Sequence, residues 1–203
     1  MSLPSPRPLS SDEAASINAN TPADFSDYFG PLKESLPALP GPVHLPSFEQ
    51  EQSCLILGDL QVDGLLVNPE YTSLVVTGSL RAGALLTMGK IVVLGDVMVG
   101  DAYGNSFNNE VCVVKGNFTA RCLVEKGHFF QSLGSLTAEA ALSLSNVITA
   151  QGGVSARVAA LGGMKDEEQQ KVLDASLFDA SGSLSEPLVV ARLRAGLPLL
   201  RAD

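Results

Sequence analysis

The residues able to do covalent or metal chemistry are few, and their spacing is wrong for it. Cys54, Cys112 and Cys122 are three thiols with no Cys-x-x-Cys pair among them. An odd number at such distances makes neither a disulfide framework nor a zinc site, so reduced thiols buried among Val and Leu are expected. His44 and His128 are the two histidines, and neither has a second His or a Cys at zinc-ligand spacing. His128 follows Gly127 and precedes Phe129 and Phe130, which reads as a turn histidine. A serine nucleophile of the hydrolase kind would sit on a strained Gly-x-Ser-x-Gly elbow, and the sequence contains none. Gly152-Gly153 and Gly162-Gly163 lack the Gly-Lys-Ser/Thr of a phosphate loop. The sequence therefore predicts no enzyme, no cofactor and no metal.

One set of polar residues recurs. Asp59, Ser79, Asp96, Asn117 and Ser135 each follow a glycine. A column of such oxygens could ligate a cation. Side chains of this type also cap the turn after a glycine, as Asx and Ser turns do. The Gly-Gly-x-Gly-x-Asp nonapeptide of calcium-binding β-rolls is not in the sequence, so capping is the expected role.

The elements that carry this column form a repeat. Gly58-Asp59-Leu60-Gln61-Val62, Gly78-Ser79-Leu80-Arg81-Ala82, Gly95-Asp96-Val97-Met98-Val99, Gly116-Asn117-Phe118-Thr119-Ala120 and Gly134-Ser135-Leu136-Thr137-Ala138 share one pattern, and Gly153-Val154-Ser155-Ala156 approximates it. The intervals between the glycines are 20, 17, 21, 18 and 19 residues. Apolar runs such as Leu74-Val75-Val76 and Ile91-Val92-Val93-Leu94 precede them, and second runs such as Ala84-Leu85-Leu86 and Cys122-Leu123-Val124 follow. Strands this short cannot bury a face alone, but coils stacked in register share one core. The glycine is expected to supply a φ > 0 corner. An antiparallel meander would instead need frequent Asn-Gly or Asp-Gly turns. The predicted fold is mainly β, a parallel β-solenoid (β-helix) of about six coils.

The ends differ in character. Nine of the twelve prolines lie before residue 47, so residues 1–50 read as a Pro-rich N-terminal arm draped over the domain or a neighbour. A helix is expected from Ser11 through Ile17, a further turn at Asp24 to Phe29, and extended chain from Pro37 to Pro46. Residues 51–162 are the solenoid. Residues 163–203 read as a helical C-terminal cap over its open end. There Asp166-Glu167-Glu168 opens one helix whose apolar face is Val172, Leu173 and Leu177, and Glu186 to Ala195 forms a second, stopped by Gly196.

The net charge of −9 is spread as −4 over residues 1–50, −3 over 51–162 and −2 over 163–203. No basic cluster could neutralise a run of phosphates, so nucleic acid is not an expected ligand. An acidic surface favours encounter with a basic protein. No apolar run approaches the ~18 residues of a membrane span and no signal peptide is visible, so a cytoplasmic protein without membrane insertion is expected.

The Gly-(Asp/Ser/Asn)-apolar-x-(Val/Ala) coils between Gly58 and Ala156 resemble those of bactofilin-type, polymer-forming β-helical proteins of bacteria, over about half of the chain. The tail is similar to that of other bacterial coil proteins through Leu177-Phe178-Asp179 and Leu193-Arg194-Ala195-Gly196-Leu197-Pro198. The resemblance implies a β-helical fold and a non-enzymatic role. Bactofilins assemble end to end through uncapped termini, and this chain departs from them in the helices expected to cover one end.

The best interaction candidate is the polar corner Gly100 to Asn109 of the longest coil. Asp101, Tyr103, Asn105, Phe107 and Asn108 are the expected partner-binding residues, because a projecting loop with rigid aromatics is a common recognition device. The competing reading folds those aromatics back onto the solenoid. Two functions follow. In one, a non-catalytic bacterial interaction protein binds a protein partner, with an immunity protein neutralising a toxin as its specific form. In the other, copies of the chain form homo-oligomers or filaments. A hexapeptide-repeat acyltransferase is disfavoured by the irregular intervals.

Overall fold

Each repeat contains two kinds of apolar run, and they fold differently. Leu74-Val75-Val76 and its counterparts are apolar without a break, as strands buried on both faces are. Leu80-Arg81-Ala82 and Phe118-Thr119-Ala120 alternate, as strands with one wet face do. The computed structural model describes residues 4–22, 36–107 and 109–202. It is a parallel β-solenoid of about seven turns.

The chain begins with β1 (Arg7–Pro8) and α1 (Ser11–Asn20), and the first coil follows as β2 (Pro37–Pro40), β3 (Val43–Leu45) and β4 (Phe48–Glu49). From there short and long strands alternate: β5 (Cys54–Leu57), β6 (Leu60–Asn68), β7 (Ser73–Val76), β8 (Leu80–Thr87), β9 (Lys90–Val93) and β10 (Val97–Asn105). The remaining coils are β11 (Val111–Val114), β12 (Phe118–Lys126), β13 (Phe129–Ser132), β14 (Leu136–Ser143), β15 (Ile148–Ala150) and β16 (Val154–Ala160). The short strands form one sheet in the order β1-β2-β5-β7-β9-β11-β13-β15, and the long strands form the other in the order β16-β14-β12-β10-β8-β6-β3, with β4 also on β6. Every coil-to-coil pairing is parallel, and only β1 joins β2 antiparallel.

Register runs through the whole stack. Leu60, Leu80, Val97, Phe118 and Leu136 are successive neighbours, all buried. Phe118 meets Phe130 across the core edge to face, with centroids 6.0 Å apart. The long strands bend midway. Val99 pairs with Ala82 and Ala120, and pairing resumes at Asp101 with Ala84 and Cys122, stepping over Gly100. The inward side switches there: Phe118, Ala120 and Leu123 face the core while Cys122 and Val124 face outward.

The glycine column has a different cause from the one expected. Of its members between Gly58 and Gly152, only Gly58 has positive φ. The requirement is close stacking. A Cβ on Gly95 would stand 2.7 Å from the carbonyl of Gly78, and one on Gly134 would stand 2.6 Å from the Gly116 oxygen. The last member is Gly152, whose N–H bonds Gly134, and not Gly153. The polar residues beside the column cap, but across coils. Asp59 accepts the Ser79 N–H at 2.7 Å, Ser79 that of Asp96 at 3.2 Å, Asp96 that of Asn117 at 2.8 Å, and Asn117 that of Ser135 at 3.0 Å.

The ends depart further from expectation. The second half of the arm is a seventh coil: Gly41 donates to Leu57 and β3 adds to β6. Prolines are tolerated there because Pro37 and Pro40 are the end residues of β2, and Pro42 and Pro46 flank β3 outside it. The helix α1 starts one residue earlier in its cap than expected. Ser10 accepts the Glu13 N–H at 3.2 Å and Glu13 accepts the Ser10 N–H at 3.0 Å, a capping box. Ala14 and Ile17 of α1 cover Leu55, Val75 and Val92 on the outside of the short-strand sheet. The expected turn at Asp24 to Phe29 lies outside the described residues.

The tail has α2 (Asp166–Val172), a 3-10 turn (Ala175–Leu177) and α3 (Glu186–Arg194). The first helix stops at Val172, so Leu173 and Leu177 lie beyond it. The tail does not cap the end. Leu173, Leu177, Val189 and Leu193 pack with Val67, Leu86, Cys122, Val124 and Leu142, along the flank of the long strands. At the C-terminal end β16 keeps an edge unpaired among the described residues, with Val154 and Ala156 only half-buried.

Candidate partner-binding surface

The corner where each long strand turns into the next short strand is built on a buried polar ladder. Asn68 donates to Gln50 and to Thr72, both at 2.8 Å, and accepts from the Thr87 hydroxyl at 2.9 Å. Further along, Glu125 is fully buried. It accepts backbone N–H groups of Gly127, His128, Ser145 and Asn146 at 2.5 to 3.1 Å and the Ser143 hydroxyl at 2.8 Å. A buried carboxylate is costly unless its lone pairs are met, and five donors meet them.

The register position between Thr87 and Glu125 is Gly104. A Cβ there would stand 2.6 Å from the Phe130 ring and 2.9 Å from the His128 Cβ. These rings, 5.2 Å apart, fill the place of the missing side chain. His128 is thus buried, with no hydrogen-bond partner at either ring nitrogen among the described residues, and burial pushes its pKa down to about 3. It is a neutral filler of the core.

Two loops project from this corner. The Ser106 hydroxyl donates to the Gly127 carbonyl at 2.8 Å and accepts the Glu110 N–H at 3.1 Å, closing the loop that carries Phe107. Two coils away the Thr72 N–H bonds Pro69 at 3.3 Å, closing the turn that carries Tyr71. Tyr71 (φ 61°) and Phe107 (φ 52°) are the two non-glycine residues with positive φ among the described residues. They are also 92% and 76% exposed. Left-handed backbone costs a bulky side chain about 1 kcal/mol or more, and glycine would avoid that cost. With Glu70, Met88, Asn109 and Glu110 the two aromatics line one shallow cleft. Burial raises the Glu110 pKa, against the pull of Lys90, and one carboxylate oxygen of Glu110 has no hydrogen-bond partner among the described residues.

The five residues expected from the sequence divide. Asp101, only 1% exposed, holds Arg121 through Nε and Nη2 at 2.9 and 2.5 Å and accepts the Leu199 N–H at 2.9 Å. Tyr103 is wholly buried among the tail leucines, its hydroxyl without a partner among the described residues and its pKa raised by burial and then by Glu186 and Glu125. Asn105 donates to Glu186 of the tail at 2.5 Å. These three face the chain's own C-terminal segment. Phe107 projects, and Asn108 lies outside the described residues. Sequence reading missed Tyr71 and Glu110. The signal for Tyr71 is Asn68-Pro69-Glu70-Tyr71-Thr72, a proline turn with an aromatic at its tip.

The thiols are free and buried. Burial pushes Cys54 up to about 11 and Cys112 up to about 12, and raises Cys122 well above its ordinary value. Among the described residues no group of three or more His, Cys, Asp or Glu could hold a metal ion, and no helix is long and apolar enough to cross a membrane. Comparison of the chain with family models, curated proteins and solved structures gives no match.

Proposed function

We propose that this β-solenoid is a non-catalytic interaction protein that binds a protein partner at the corner carrying Tyr71 and Phe107. The observation that supports this is the pairing of strain with exposure. Two aromatics are held in backbone that glycine would occupy more cheaply, and both rings face solvent beside one cleft. Exposed aromatics on a rigid scaffold are the usual anchors of recognition. The net charge of −9 favours a basic partner. An immunity protein that neutralises a toxin is the specific form of this reading.

Photo-crosslinking tests it. A benzophenone amino acid at position 71 or 107 should trap one and the same heterologous protein in cells. The same probe at Met98, exposed on a different part of the solenoid, should not. No common product from the two corner positions would overturn the reading.

A second reading is the bactofilin-like one, stacking of copies into oligomers. Its support is the edge of β16 that is unpaired among the described residues, with half-buried Val154 and Ala156. Light scattering after size exclusion separates the two, since stacking gives masses that grow with concentration.

A further inference from the structure

The cleft between Tyr71 and Phe107 has chemistry that selects its guest. We infer that it receives a cationic side chain, lysine or arginine, from the protein partner, held between the two rings and neutralised by Glu110 and Glu70. This rests on the reading of that corner as the recognition surface, and it names what the surface recognises.

Three observations converge. The faces of Tyr and Phe rings attract ammonium and guanidinium groups, and both rings here are free of the core. Between them the cleft offers Met88, whose polarisable thioether suits an aliphatic stem. The Glu110 oxygen that lacks a hydrogen-bond partner among the described residues is shielded from water. Glu110 also lines the cleft, so its carboxylate charge acts on a guest there. An anionic guest would add repulsion, and an apolar one would leave Glu70 and Glu110 without a counter-charge. Lys90 acts on Glu110 with the opposite sign. Glu70, Glu110 and Lys90 together still sum to −1, so the local field favours a cation, as does the chain as a whole.

The test is a titration of the ¹⁵N-labelled full chain with short capped peptides followed by NMR. One peptide alternates Gly with Lys and Arg, a second replaces the cations with Glu, and a third replaces them with Leu. The cationic peptide alone should shift residues 70–72, 88 and 106–110 saturably, and added salt should weaken it. Tyr71→Gly, Phe107→Gly and Glu110→Gln should each weaken it about fivefold. The Gly variants relieve backbone strain, so they keep the fold. Saturable binding of the Leu peptide at these same residues would overturn the cation assignment and leave the corner as a recognition surface. Cationic binding that is indifferent to all three variants would overturn it too. Failure of every peptide to perturb these residues would count against both readings.

Discussion

Leu199 donates its backbone N–H to the buried carboxylate of Asp101 at 2.9 Å, joining residues 98 positions apart. Arg121, one coil along and next to the register partner Cys122, grips the same carboxylate through two nitrogens. The charge buried on the flank is therefore paired on one side and hydrogen-bonded to the tail on the other. Arg192–Asp174 at 2.7 Å and Arg194–Glu49 at 3.0 Å are the tail's other ionic ties. The exposed Arg194–Glu49 pair adds little by itself.

Asp101→Ala should therefore loosen the tail before the solenoid. It leaves the Leu199 N–H without an acceptor, while Arg121, partly exposed, can turn to solvent. A loss of about 2 kcal/mol is expected. Hydrogen exchange should quicken across residues 184–200 and stay unchanged at Leu74–Val76. Uniform quickening in both segments would contradict the role assigned to this carboxylate.

The glycine column predicts a contrast between two alanine substitutions. Gly95→Ala drives a methyl to 2.7 Å from the Gly78 carbonyl, inside the stack. Overpacking of this kind costs about 3 kcal/mol where backbone must move. Gly153 has φ 92° but a methyl added there would meet nothing within 4 Å, so Gly153→Ala should cost only strain, about 1 kcal/mol. Urea unfolding of both variants checks the order, and the reverse order would contradict close stacking as the reason for the column.

His128 should make the fold acid-sensitive. Its pKa falls from 6.5 to about 3 on folding, so the native state binds fewer protons than the unfolded chain between those values. The stability present above pH 6.5 is then lost as pH falls toward 3, at about 1.4 kcal/mol per pH unit. His128→Leu should flatten that slope in a series of unfolding midpoints from pH 7 to pH 4. An unchanged slope would mean that the ring is wetted in solution.

Much of this architecture is legible in the residues. From Gly78 to Gly134 the column stands out because close backbone approach leaves no room for a Cβ, whatever the loop length between coils, and Gly58 joins it through its positive φ. The first coil is hidden because Gly41-Pro42-Val43-His44-Leu45 keeps the inward pattern but puts proline where Asp or Ser is diagnostic. The position of the tail was also written in the chain. Ala84-Leu85-Leu86, Cys122-Leu123-Val124 and Ala140-Ala141-Leu142 are apolar on both faces, whereas Leu80-Arg81-Ala82 alternates. Strands that are apolar on both sides need a cover on the outside, and that cover is α3 and its neighbours. The site was harder to read. Asp101 and Tyr103 look like loop residues but belong to the bent strand β10, which puts them beneath the tail. Tyr71 belongs to a turn of ordinary length, marked in the sequence only by Pro69 and the aromatic at its tip, while its backbone angle and exposure emerge only in the fold.

The claim on which the functional reading turns is that the Tyr71 and Phe107 rings serve recognition and not the fold. Thermal unfolding of the Tyr71→Gly, Phe107→Gly double variant tests it most directly. Relief of two left-handed positions should offset the entropy of the added glycines, leaving stability unchanged or raised by up to about 1 kcal/mol per site. A fall in Tm of several degrees would show that the rings are structural and would contradict the account.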